Sequence, residues 1–174
     1  MAAQSHYETA FEFFLRSRKV PYLAVNDRRR PIVGGVNVKC FDFVVLPMKG
    51  RPLLCEVKGR KFPSRAGSDR RRYWEGWVPI EDLKCLSFWS QLFGERFQAL
   101  VVLMYWLQSC DDPNVDNPLL RTRTSVQGRV YSPLAIRLAD FVERGKPRSP
   151  RWDVVGMSAG ELTRAAEPFD RFLE

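Results

Sequence analysis

Histidine is almost missing from this chain: His6 is the only one among 174 residues. That scarcity excludes histidine-rich zinc sites, and any histidine-dependent triad would rest on a single residue. Cysteine is sparse as well. Cys40, Cys55, Cys85 and Cys110 have no CxxC spacing, which argues against a zinc knuckle or a disulfide framework. Three of them sit in apolar runs, where they pack as small hydrophobes. No apolar run is long enough to span a membrane, and no signal peptide is visible. A reducing, cytoplasmic setting is the expectation.

Negative charge is in deficit. Against 28 Lys and Arg stand 20 Asp and Glu, a net charge of +8 with a pI near 9.6. That surplus suits an acidic partner, nucleic acid first and a membrane surface second. The rest of the composition is ordinary, with 45% hydrophobic and 28% charged residues. A chain of this kind can bury a core, and one domain over residues 1–174 is expected.

The informative stretch runs from Lys39 to Arg60. Phe41-Asp42-Phe43-Val44-Val45-Leu46 and Leu53-Leu54-Cys55-Glu56-Val57-Lys58 are rich in β-formers, with Pro47-Met48-Lys49-Gly50-Arg51 between them. The pattern predicts a β-hairpin. Glu56 and Lys58 are two apart and leave their strand on one face. If the strands pair, Asp42 lies near both. An acid flanked by Phe41 and Phe43 is costly to bury without compensation. Two converging carboxylates suit a hard cation such as Mg²⁺, and a lysine beside them can orient a water or neutralise a phosphate. The plainer readings are a strand-edge Asp42 paired with Lys39 or an arginine, and a cross-strand Glu56–Lys58 salt bridge on a solvent face.

Asp42 followed by Glu56-Val57-Lys58 resembles the D…(D/E)-x-K signature of the PD-(D/E)XK nuclease superfamily, the fold of many restriction enzymes and of archaeal-type Holliday junction resolvases. Phe41 stands where the superfamily name has a proline. The resemblance covers residues 5 to 107 or so. It implies an α/β fold: a restriction-endonuclease-like αβββαβ core, a central mixed sheet flanked by helices, and strand and helix additions over residues 108–174. It implies a Mg²⁺- or Mn²⁺-dependent nuclease that hydrolyses DNA phosphodiester bonds, with RNA left open and no membrane role. Asp42 and Glu56 would hold the metal together with the main-chain carbonyl of Val57, and Lys58 would act on the water or the phosphate. Absence of a separate specificity domain suits structure-directed cleavage, by a homodimer or within a larger complex. Two other classes stay open: a catalytically silent nuclease-fold module that binds nucleic acid, and a protein-interaction domain.

The flanking elements fit that order. Ser5 to Lys19 reads as a helix, with Ser5 and Glu8 at capping-box spacing and Tyr7, Ala10, Phe11, Phe14, Leu15 and Arg18 on one face. Glu8 lies about 60° from the centre of that face, at the edge of the core side. It is either a cap acid or, as in some relatives, a glutamate that joins Asp42 at the metal. Tyr22 to Asn26 is a short strand candidate, and Gly34-Gly35 marks a loop.

Residues 59–77 read as a long basic loop over the site. Arg60, Lys61, Arg65, Arg70, Arg71 and Arg72 are candidates to clamp phosphates, and Trp74 to stack on bases. Pro79 to Gly94 reads as the second helix, with Glu81 and Asp82 as N-terminal dipole acids. Relatives often carry a polar active-site residue on this helix, and Gln91 is the candidate, with a plain exposed amide as the alternative. Phe97 to Leu107 reads as a buried strand. Ser109 to Val126 reads as a polar loop, Arg129 to Arg137 as a strand interrupted by Pro133, and Lys146 to Arg151 as a basic turn. Ser158 to Leu173 reads as a closing helix that Pro168 bends or splits.

Overall fold

Residues 5–25, 31–65, 71–72, 74–108, 116–149 and 151–174 are described by a computed structural model. The Ser5 hydroxyl accepts from the Glu8 amide and starts α1, His6–Ser17, which buries Ala10, Phe11, Phe14 and Leu15. Three short strands follow: β1 (Tyr22–Ala24), β2 (Ile32–Val33) and β3 (Val36–Asn37). Gly34 and Gly35, both at positive φ, turn β2 into β3. The expected hairpin is β4 (Phe43–Val45) and β5 (Leu53–Phe62), antiparallel with Phe43 opposite Cys55.

The basic stretch after Lys58 differs from the expected loop. Strand β5 runs on to Phe62, β6 (Ser64–Arg65) pairs with β7 (Arg71–Arg72), and β8 (Trp77–Pro79) leads into α2, Ile80–Phe93. Helix α2 carries the chain back so that β9 (Gln98–Leu107) lies parallel to β5 over ten residues, from Leu53↔Gln98 to Phe62↔Leu107. Such a crossover is how adjacent parallel strands are joined.

Within the expected loop of 109–126, Thr124–Val126 is a strand, β10, which pairs with β11 (Arg129–Arg137). Pro133 does not interrupt β11. It falls between the stretch paired with β10 and the stretch paired with β14 (Glu167–Pro168), where the outer edge has no ladder to lose. After α3 (Leu138–Arg144) the expected basic turn is a strand, β12 (Lys146–Ser149). It pairs with β13 (Trp152–Gly156), which in turn pairs with β8. The closing helix is also shorter than expected. Capped by Ser158 and Glu161, α4 ends at Ala165, and β14 and a 3₁₀ turn at Phe169–Phe172 complete the chain. Pro168 has no N–H to continue a helix.

The main sheet is mixed, in the order β1-β4-β5-β9-β11-β10 with β14 also on β11. Both faces are covered. Phe11, Phe14 and Leu15 of α1 pack with Leu53, Cys55, Val57, Leu100, Val102 and Met104 on one side. Leu83 and Leu86 of α2, Phe141 of α3 and Leu162 of α4 pack with Leu54, Val101, Leu103 and Tyr105 on the other. That double burial explains why β9 reads as a continuous apolar run.

Candidate functional site

Asp42 is fixed from three directions. Its amide donates to the Cys55 carbonyl at 3.0 Å, and its carbonyl accepts from the Val25 amide at 2.8 Å. Main chain on both neighbouring strands therefore holds it, one residue before β4. Its Oδ2 accepts from the Val57 amide at 2.7 Å. Val57 thus reaches the cluster through its backbone, while its side chain is buried on the α1 face.

Glu56 and Lys58 leave β5 together toward α2, as period two requires. Glu56 is 3% exposed, and the Lys58 ammonium lies 2.7 Å from its Oε1. The pairing is not on a solvent face. Lys58 also lies 2.7 Å from Oδ2 of Asp82, a residue of α2 that is itself 2% exposed. Lys39 donates to the other Asp82 oxygen. So Lys39, considered as a partner for Asp42, pairs with Asp82, and Asp82 holds two lysines at once.

The electrostatics follow from burial and crowding. Burial, with the charges of Glu8 and Asp82 adding to it, pushes the Asp42 carboxyl above its ordinary pKa despite the Val57 amide and Lys58. Burial and the neighbouring Asp42 push Glu56 up as well. Burial alone would lower Lys58, but Glu56 and Asp82 outweigh it and hold the ammonium above the usual range. Burial would raise Asp82, and Lys58 with Lys39 pulls it below its ordinary value. Three buried or half-buried carboxylates therefore share two ammonium groups, and the unmatched negative charge falls on Asp42 and Glu56.

Glu8 stands in the first turn of α1, half-buried, with its Oε1 accepting from the Ser5 hydroxyl at 2.9 Å. It caps the helix, and its charge also reaches Asp42. Tyr7 beside it lies over Gly59 so closely that a Cβ there would sit 2.0 Å from the ring. This close approach lets the first turn of α1 rest on β5 next to the cluster.

The other sequence candidates lie elsewhere. Arg60 is 8% exposed. Its guanidinium stacks on Trp77 at 3.9 Å and donates to the Gly59 and Trp77 carbonyls, bracing β5 against β8. Trp74 is half-buried and packs on Phe62 and Tyr105. Lys61 is exposed and stands over Trp106. Arg65 lies on β6 and Arg71 and Arg72 on β7, while Arg70 falls outside the described residues. Gln91 is exposed beside Lys84, Ser87 and Val142. Nine residues after Asp82, it is about half a turn away on α2, at roughly 100° per residue, and does not face the cluster. The polar group that α2 does bring is Asp82. Its signal was its phase: Asp82, Cys85, Leu86 and Trp89 share the inward face, so Asp82 is more than a dipole acid.

Among the described residues, no group of three or more His, Cys, Asp or Glu is gathered to hold a metal by itself. The donor set still fits a hard cation. Mg²⁺ is usually bound by one or two carboxylates, with water and substrate phosphate completing its shell. Asp42 and Glu56 are two such groups, all-oxygen, with Asp42 near enough to raise the Glu56 carboxyl and burial raising both.

No family model and no curated protein matches the sequence. Among solved structures, the chain is similar to Hjc of Archaeoglobus fulgidus, a Holliday junction resolvase. The TM-score is 0.58 and the identity 12%, over 98% of this chain and 100% of that one. At that identity the likeness is one of fold. The mixed sheet and flanking helices are those of the restriction-endonuclease-like fold. Among the described residues, no helix is long and apolar enough to cross a membrane.

Proposed function

We propose that the chain is a divalent-metal-dependent nuclease that hydrolyses DNA phosphodiester bonds in a structure-directed manner. One observation carries the reading: in a fold shared with a junction resolvase, the β4–β5 hairpin gathers Asp42, Glu56 and Lys58 into one buried, acid-rich cluster.

Asp42 and Glu56 would hold Mg²⁺ or Mn²⁺, with the Val57 main chain beside them. When bound, the cation supplies an activated water and a Lewis acid for the phosphate. Asp42 is oriented for this by the Val57 amide, which fixes one oxygen and leaves the other for the ion. Lys58 keeps its proton, because Glu56 and Asp82 hold its ammonium above the usual range. It is therefore a charge stabiliser and a donor that orients water, and not a general base. Asp82 is a positioning residue: bound to Lys58 and Lys39, it stops the Lys58 ammonium from folding wholly onto Glu56. Glu8 supports the same electrostatic field from α1.

The test is cleavage of labelled branched, flapped, linear and single-stranded DNA in Mg²⁺ and in Mn²⁺. Wild type should cut at least one substrate. Asp42→Asn, Glu56→Gln and Lys58→Ala should each lose on the order of a hundredfold or more in rate, the scale of removing one positioned catalytic group. Wild-type rates in these variants would sink the assignment.

A further inference from the structure

Toward the end of β5 remote from the β4–β5 loop, three neighbouring strands present Lys61, Trp106 and Tyr131 in one row. Lys61 is in register with Trp106, and Trp106 with Tyr131. Arg129, two residues before Tyr131, leaves β11 on the same face. The Lys61 ammonium lies 5.5 Å and the Arg129 guanidinium 4.6 Å from the centre of the Trp106 ring. His6 closes the row from above, edge-on to Trp106 at 5.6 Å, with Nδ1 2.9 Å from the Tyr131 hydroxyl.

Lys61, Arg129 and His6 are exposed, and Trp106 is half-buried. Among the described residues neither Lys61 nor Arg129 has a carboxylate partner. Partial burial, then the charges of Arg129 and Lys61, hold the His6 imidazole below its usual pKa. Among the described residues the row is thus an unneutralised positive strip. An indole that holds the cation stems in place leaves their N–H donors free for solvent or for an anion. Cations interleaved with aromatics suit a sugar–phosphate strand.

We propose that the Lys61–Trp106–Arg129 row is a second nucleic-acid contact surface, one that grips phosphates of a DNA strand to one side of the cleaved bond. The placement of that bond rests on the nuclease reading above. Lys61 leaves β5 on the face opposite Glu56 and Lys58, so the strand reaches the row by passing the first turn of α1. There His6 belongs to the row and Glu8, two residues on, to the carboxylate cluster. Lys61 lies five residue steps along β5 from Glu56, about 17 Å of strand and on the order of five base steps of duplex.

The experiment reads binding and not cleavage. Anisotropy of a labelled duplex and of a labelled single strand is followed in EDTA over a salt series, with wild type, K61Q/R129Q and K49Q/R96Q. The last pair removes equal charge from exposed loops at the opposite end of the sheet. K61Q/R129Q should weaken DNA binding about tenfold or more and reduce the slope of log affinity on log salt by about 0.9 for each phosphate no longer neutralised. K49Q/R96Q should change both far less. Equal losses in the two pairs would mean net charge alone and would overturn the proposal. So would unchanged DNA binding by K61Q/R129Q, with or without weaker binding to phosphatidylserine vesicles. Because no cutting is measured, DNA binding through this row in a chain that never cleaves would refute the nuclease reading, and with it the placement of the cleaved bond, but leave the contact surface standing.

Discussion

Asp82→Asn removes one charge from between two ammonium groups. In the native cluster the Asp82 carboxylate lies 2.7 Å from Lys58 and also binds Lys39, while the residue is 2% exposed. Removing one partner of a fully buried pair costs roughly 3–5 kcal/mol. That figure is too large here. The Lys39 side chain is 28% exposed and regains water, and Lys58, 20% exposed, keeps Glu56. A loss of about 2–3 kcal/mol is expected, near the worth of hydrogen bonds to charged groups. For a chain of this size that lowers Tm by about 5–10 °C. Thermal unfolding of metal-free protein, followed by circular dichroism at low and high salt, reads it. The loss should be nearly salt-independent, because a buried pair is poorly screened. Asp82→Glu, which keeps the charge, should lose less. Cleavage should fall about tenfold or more once Lys58 is no longer held between two acids. A Tm change below about 1 °C for Asp82→Asn would refute the reasoning, since the two lysines would then not depend on that carboxylate.

Two further outcomes follow from the same geometry. Mg²⁺ or Mn²⁺ should raise the wild-type Tm by mass action, by about 2.7 kcal/mol of added stability at a hundredfold excess over Kd. Asp42→Asn and Glu56→Gln should lose that shift and Asp82→Asn should keep it, so a full shift in Asp42→Asn would move the metal off the hairpin. Gly59→Ala should cost about 1–3 kcal/mol, the usual range for forcing an atom into a packed contact, because its Cβ would meet the Tyr7 ring at 2.0 Å. Differential scanning calorimetry of G59A, Y7A and the double variant checks it. The double should lose clearly less than the sum of the singles, as contacting residues do, and strict additivity would rule out the clash.

Much of the core was legible because its signals are local. Helix α1 has a cap, an apolar face and a proline just beyond it, and β9 is ten residues of near-continuous apolar sequence. The β4–β5 hairpin follows from two β-rich runs and a Pro/Gly connection. Arg60 could have been placed by the same rule that placed Lys58. Two residues further along β5 it shares that face, and a basic residue in phase with Leu54, Glu56 and Phe62 points inward. The three-stranded sheet of β8, β12 and β13 had no such signal. Its strands are short, β12 is polar and carries a proline, and β8 lies far in sequence from the other two, so that strand pairing alone makes them a sheet. The same holds for β14 on β11, in a segment whose apolar spacing had suggested a helix.

Sequence by itself determined that Glu56 and Lys58 share a face, since a strand alternates whatever lies around it, and that an acid at Asp42 pairs across a short hairpin. It also set the excess of positive charge. Tertiary structure alone decided which cation meets which acid. Lys39 and Asp82 are separated by 43 residues, and α2 brings them together only by packing across β5. That packing buries the carboxylates, and burial together with the neighbouring charges raises Asp42 and Glu56 above their ordinary pKa values.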